Sequence, residues 1–83
     1  MSLSMCEYVV RGFSSTVDAL SALEACRARG IECRLVQLPP SLAREAECGT
    51  ALRSLPTDEG RVEECLATAG IQARVRSSIR DFA

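Results

Sequence analysis

Twice along this chain, apolar residues at helical spacing end in a Gly-Ile pair and pass into an alternating segment, first at Gly30-Ile31 and again at Gly70-Ile71. An arginine stands three residues after each isoleucine, Arg34 and Arg74. Glycine tolerates the left-handed backbone that closes a helix, and period-two alternation marks a half-buried strand. Each half therefore reads as strand, helix, glycine cap and returning strand. Two such units fill the 83 residues, so a single domain over 1–83 is expected, because two domains need more chain. Pairing two such units calls for both helices on one face of a four-stranded antiparallel sheet. The predicted fold is α+β, a ferredoxin-like βαββαβ two-layer sandwich.

The remaining signals fill in that frame. Glu7 to Phe13 is β-branched and aromatic, which suits a strand. Ser15, followed three residues later by Asp18, reads as a helix start. Ala19, Leu20, Leu23 and Cys26 then form the helix's apolar stripe, and Gly30 closes it. Ile31 to Leu38 alternates as the second strand and stops at Pro39-Pro40. Ser41 to Glu47 holds helix formers enough for a short turn, and Gly49 to Leu55 is the third strand. Thr57 is expected to cap a second long helix, with core positions Val62, Cys65, Leu66 and Ala69. Ile71 to Arg76 alternates as the last strand. The core is placed at 6–78, with 1–4 a tag or disordered start and 79–83 a tail.

Composition removes whole classes of chemistry. The chain has no histidine and no lysine, which excludes Cys–His and Ser–His–Asp nucleophiles, Schiff bases and Walker-type phosphate loops. Ten arginines stand against eleven carboxylates for a net charge of −1, so no basic field invites nucleic acid. The apolar runs are too short to span a membrane. Cysteines at 6, 26, 33, 48 and 65 match no zinc or iron–sulfur spacing, so neither a metal nor another cofactor is expected. An odd count without a signal peptide fits free thiols in a reducing cytoplasm.

Position sorts those thiols. Cys26 and Cys65 lie on helix stripes and Cys33 alternates with Ile31 and Leu35, so all three read as small core hydrophobes. Cys6 stands near the chain start and carries no signal. Cys48 lies on no stripe. It follows a polar loop and precedes Gly49, where backbone or ligand can approach closely. A reactive thiol must ionise, which needs positive charge or N–H donors nearby. Glu45 and Glu47 oppose this, and Arg44 is the nearest arginine. Arg34, Arg53 and Arg74, together with Arg11 and Arg76, fall among polar alternates of the strands. Those positions are expected on the sheet face free of helices, where they would favour the thiolate, bind an anion or line a homodimer seam.

The segments Phe13-Ser14-Ser15-Thr16, Ala19-Leu20, Glu24, Gly30-Ile31 and Cys48-Gly49-Thr50-Ala51-Leu52-Arg53, in this order and spacing, resemble the small domain family called putative selenium/sulfur carrier protein-like. The resemblance covers roughly residues 7 to 76. It implies that Cys48 is the carrier thiol, with sulfur or selenium held there as a persulfide or perselenide. It also implies donor and acceptor proteins as partners. The chain departs from the family in two places: Ser41 rather than arginine follows Pro40, and Arg44-Glu45-Ala46-Glu47 replaces small hydroxyl residues.

The leading expectation is thus a sulfur or selenium carrier rather than an enzyme with turnover of its own. The alternative is a small binding or regulatory module that uses the arginine-rich sheet face for an anionic ligand or for dimerisation.

Overall fold

The computed structural model describes residues 5–82, with side chains for 7–79. The expected tag at 1–4 and the side chain of Cys6 lie outside the described residues. The elements in chain order are β1 (Met5–Gly12), α1 (Thr16–Ala28), β2 (Cys33–Gln37), α2 (Pro40–Ala46), β3 (Thr50–Ser54), α3 (Glu59–Ala69) and β4 (Val75–Phe82). The four strands form one antiparallel sheet in the order β2-β3-β1-β4.

Local chemistry explains most boundaries. Ser15 caps α1 by accepting the Asp18 N–H at 3.1 Å. Gly30 and Gly70, at φ 74° and 72°, take the left-handed turn that lets Ile31 N–H and Ile71 N–H bond back to Cys26 and Leu66. Thr57 does not cap α3 as expected. Residues Pro56–Asp58 form a single 3₁₀ turn, and Asp58 is the residue before α3. The last strand begins at Val75, later than the alternation from Ile71 suggested, and it takes in the supposed tail as far as Phe82. Residues 71–74 instead carry the chain from the end of α3 to the sheet, where Arg74 N–H bonds to Gly12 C=O at 2.7 Å.

Side chains alternate across the sheet, and each face is covered differently. On one face, Phe13, Cys33 and Leu52 pack with Ala19, Ala22 and Cys26 of α1 and Val62, Cys65 and Leu66 of α3. On the other, Val10 and Ala51 pack with Leu38 and with Leu42, Ala43 and Ala46 of α2. The second face was expected to be bare. It carries α2 because Gly12 leaves a gap there. A Cβ at Gly12 would lie 2.7 Å from both Leu38 and Val75 and 3.0 Å from Ala46, so only glycine lets α2 settle against β1 and β4. Leu20 is also a correction: at 46% exposure it faces solvent with Val17, and Ala22 takes the core position assigned to it. Ala69 at the end of α3 is likewise exposed.

The arginines divide between the faces. Arg34 and Arg53 stand opposite one another on β2 and β3, on the side of the sheet away from α1 and α3, which is not the bare face expected because α2 packs there. Arg11 and Arg76 do not join them. Arg11 is only 2% exposed and pairs with Glu59 and Glu63 of α3, at 3.7 and 3.4 Å, and Arg76 also pairs with Glu59. The acidic first turns of α3 draw both guanidiniums to the helix face, where a buried cation needs its counter-charges.

Candidate functional site

The turn after α2 brings the outlying cysteine to the start of α1. Glu47 ends α2 in the left-handed region, φ 68°, and Cys48-Gly49 then turns the chain into β3. Leu38 N–H bonds to Gly49 C=O at 2.7 Å, which fixes this turn against the end of β2. Cys48 is partly exposed, whereas Cys26, Cys33 and Cys65 are buried at 0%, 8% and 3%. The sorting of these four thiols by sequence pattern agrees with their places in the structure.

Cys48 Sγ lies 3.6 Å from Thr16 Oγ1. The thiol's pKa is lowered from its ordinary value, first by the backbone N–H of Thr50, then by the Thr16 hydroxyl, with a smaller contribution from the Thr50 hydroxyl. Each of these groups can donate to a thiolate and so favours the charged form. Thr16 is the first residue of α1, so the sulfur also stands at the positive end of that helix's dipole. Burial pulls the other way on the core thiols. Cys26 is pushed up to about 12 by desolvation and then by Cys65 and Cys33 beside it. Cys33 is also raised, desolvation again leading.

The arginines expected around the thiol take other places. Arg74 Nη2 pairs with Glu47 Oε1 at 3.1 Å, so it engages the carboxylate next to Cys48 and offsets the negative charge that opposed ionisation. Arg44 is exposed on the last turn of α2 and pairs with no described residue. Arg53 lies three residues beyond Thr50, about 10 Å along the strand, with its guanidinium 4.1 Å from the Tyr8 ring centroid. Arg34 is its cross-strand neighbour. The site that forms is thus Cys48 and Gly49 with Thr16 and Thr50, and the donors are N–H and hydroxyl groups rather than guanidiniums. Neither threonine stood out by its own chemistry in the sequence. The signal was the Phe-Ser-Ser-Thr segment, whose contact with Cys48 spans 32 residues of chain.

This geometry makes a direct expectation. Alkylation rate follows the thiolate fraction, so its pH profile inflects at the thiol's pKa. Thr16→Val removes one donor to the thiolate and is expected to move the Cys48 inflection upward in pH. Rates of a slow alkylating agent between pH 5 and 10 measure this, and an unmoved inflection would exclude the hydroxyl as a donor.

Among the described residues, no group of histidine, cysteine, aspartate and glutamate side chains could hold a metal ion. No helix among them is long and apolar enough to cross a membrane. No curated protein and no solved structure matches the chain. The family model described as "Putative Se/S carrier protein-like" matches residues 8–75, a span that holds the Phe-Ser-Ser-Thr segment, Cys48-Gly49 and the contact between them, and the chain belongs to that family.

Proposed function

We propose that the chain carries sulfur or selenium on Cys48. The observation behind this reading is that the one partly exposed thiol among the described cysteines is also the one whose pKa is lowered, by Thr50 N–H and Thr16 hydroxyl. In the step envisaged, the Cys48 thiolate attacks the terminal sulfur of a donor persulfide. A new S–S bond forms at Cys48, the donor's S–S bond breaks, and the donor thiolate leaves with the electron pair. An acceptor thiolate then attacks the outer sulfur and releases Cys48 as thiolate. Electrons balance without an oxidant, and exchange of this kind needs no separate general base. The lack of histidine is therefore compatible with the chemistry.

Gly49 has open space where a Cβ would stand, which leaves room for a partner's sulfur to approach. The donor and acceptor are proteins in this reading, and the domain is a carrier without turnover of its own. A reducing cytoplasm would keep such a thiol free. Read from the β4 edge, the sheet order is β4-β1-β3-β2. With α1 and α3 on one face, we take this as the ferredoxin-like arrangement, with α2 inserted between β2 and β3 to present the cysteine turn.

The test is intact-mass measurement after incubating the reduced chain with a cysteine desulfurase and cysteine. A sulfur adduct is expected on the wild type and absent from Cys48→Ser. An adduct retained by the substituted chain would assign the sulfur elsewhere.

A further inference from the structure

Among the described residues, the large apolar side chains that stand exposed are Val17, at 72%, and Leu20, at 46%. Both lie on the first turns of α1, which starts at Thr16, and Thr16 Oγ1 is 3.6 Å from Cys48 Sγ. At about 100° per residue, Leu20 projects between Thr16 and Val17 around the helix axis, roughly 6 Å along it from Thr16. The acidic residue of the first turn, Asp18, falls on the far side of the axis from Thr16. Thr16, Val17, Leu20 and the exposed Ser21 thus form an uncharged strip that runs from the thiol along α1. In the free chain this strip is unfavourable. A β-branched valine is a poor helix former, and neither apolar side chain gains the burial that would remove it from water. An isolated exposed hydrophobe is ordinary, but these two adjoin each other and the reactive sulfur.

We infer that this strip is the docking surface for the sulfur donor, a protein that presents an apolar side chain beside its persulfide-bearing cysteine. The inference rests on the carrier reading of Cys48, and the geometry of that exchange says what covers the strip. While the outer sulfur passes from one cysteine to the other, it bridges both. Cysteines joined by a disulfide hold their Cα atoms within about 7 Å, and a third sulfur adds about 2 Å. The donor's backbone therefore closes on Cys48 to within about 9 Å at the moment of exchange. A transient protein contact of about 500 Å² on each partner extends about 13 Å from its centre. A footprint centred on Cys48 thus takes in the start of α1, where Val17 and Leu20 stand. A small-molecule persulfide needs no such footprint and makes no use of the strip.

The experiment compares sulfur loading of the Cys6→Ser chain by two donors, a cysteine desulfurase supplied with cysteine and glutathione persulfide. Loading is read by intact mass at sub-saturating donor. Val17→Thr and Leu20→Gln remove apolar surface at exposed positions. Each is expected to slow loading by the desulfurase about tenfold, the effect of truncating a contact near the centre of an interface. Loading by glutathione persulfide and the alkylation inflection of Cys48 should match those of the unsubstituted chain, which also shows that the variant is folded with its thiol intact. Unchanged loading by the desulfurase, or equal slowing with both donors, would overturn the inference and leave Cys48 as a carrier. So would an unsubstituted chain that the desulfurase loads no faster than glutathione persulfide does at the same concentration. A chain that neither donor loads would remove the carrier reading itself, and the docking surface with it.

Discussion

In the folded chain at neutral pH, iodoacetamide is expected to modify Cys48 at least about a thousandfold faster than Cys26 or Cys65. Cys48 reacts from the native state, because it is partly exposed and its thiolate is favoured by Thr50 N–H and the Thr16 hydroxyl. Cys26 and Cys65 are 0% and 3% exposed in the core between α1 and α3. Cys26 is also pushed up to about 12, so almost none of it is thiolate in the folded chain at neutral pH. These two thiols react only when the core opens. A domain with about 5 kcal/mol of stability is open less than about one part in a thousand of the time. Cys33, at 8% exposure and with a raised pKa, should fall between. Mass-mapped alkylation kinetics in a Cys6→Ser chain measure the order, and comparable rates for Cys48 and Cys26 would refute it. The same shifts set the alkaline limit of stability. A thiol whose folded pKa is raised favours the folded state below the unfolded value, 9.0 here, and that contribution is lost as pH rises toward 12.

Phe13→Ala should cost about 3–5 kcal/mol, the usual range for deleting a buried aromatic. Phe13 is 0% exposed and packs where β1 leads into α1, among the residues of the larger core. Little nearby can collapse into the space, since its neighbours are anchored on two helices and the sheet. For a chain of this length, which buries only about two thirds of its unfolded surface, that loss approaches the whole of a marginal stability. Urea unfolding measures it as a drop in midpoint with an unchanged slope. A loss below about 1 kcal/mol would show that the ring is not packed as described. Phe13 also precedes Ser14-Ser15-Thr16, so in whatever population remains folded, a loosened α1 start should raise the Cys48 inflection as Thr16→Val does.

The gap between what the sequence foretold and what the structure holds is instructive at particular residues. Helix ends were legible because glycine and serine act locally: Gly30, Gly70 and Ser15 each do their work within a turn. The thiols were legible because an apolar stripe at helical or strand period announces a core position before any fold is known. Arg11 was not legible. Tyr8-Val9-Val10-Arg11 has no clean alternation, and its face follows from pairing with β3 and from Glu59 and Glu63 on a helix far along the chain. The placement of α2 was hidden for a similar reason. Its helix formers were visible, but the gap that receives it is the missing side chain of Gly12 between Leu38, Ala46 and Val75.

Local pattern was enough for the number and type of the main elements, the exclusion of histidine and lysine chemistry, and Cys48 as the thiol with no place in a core. All of these rest on period, on turn chemistry or on residues that are absent. Packing alone settles which groups surround that thiol, where each arginine lies, and which face α2 covers. Those outcomes depend on contacts such as Thr16 with Cys48, Arg34 with Arg53 and Arg74 with Glu47. Each joins residues far apart in the chain, and strand register and packing, rather than local preference, bring them together.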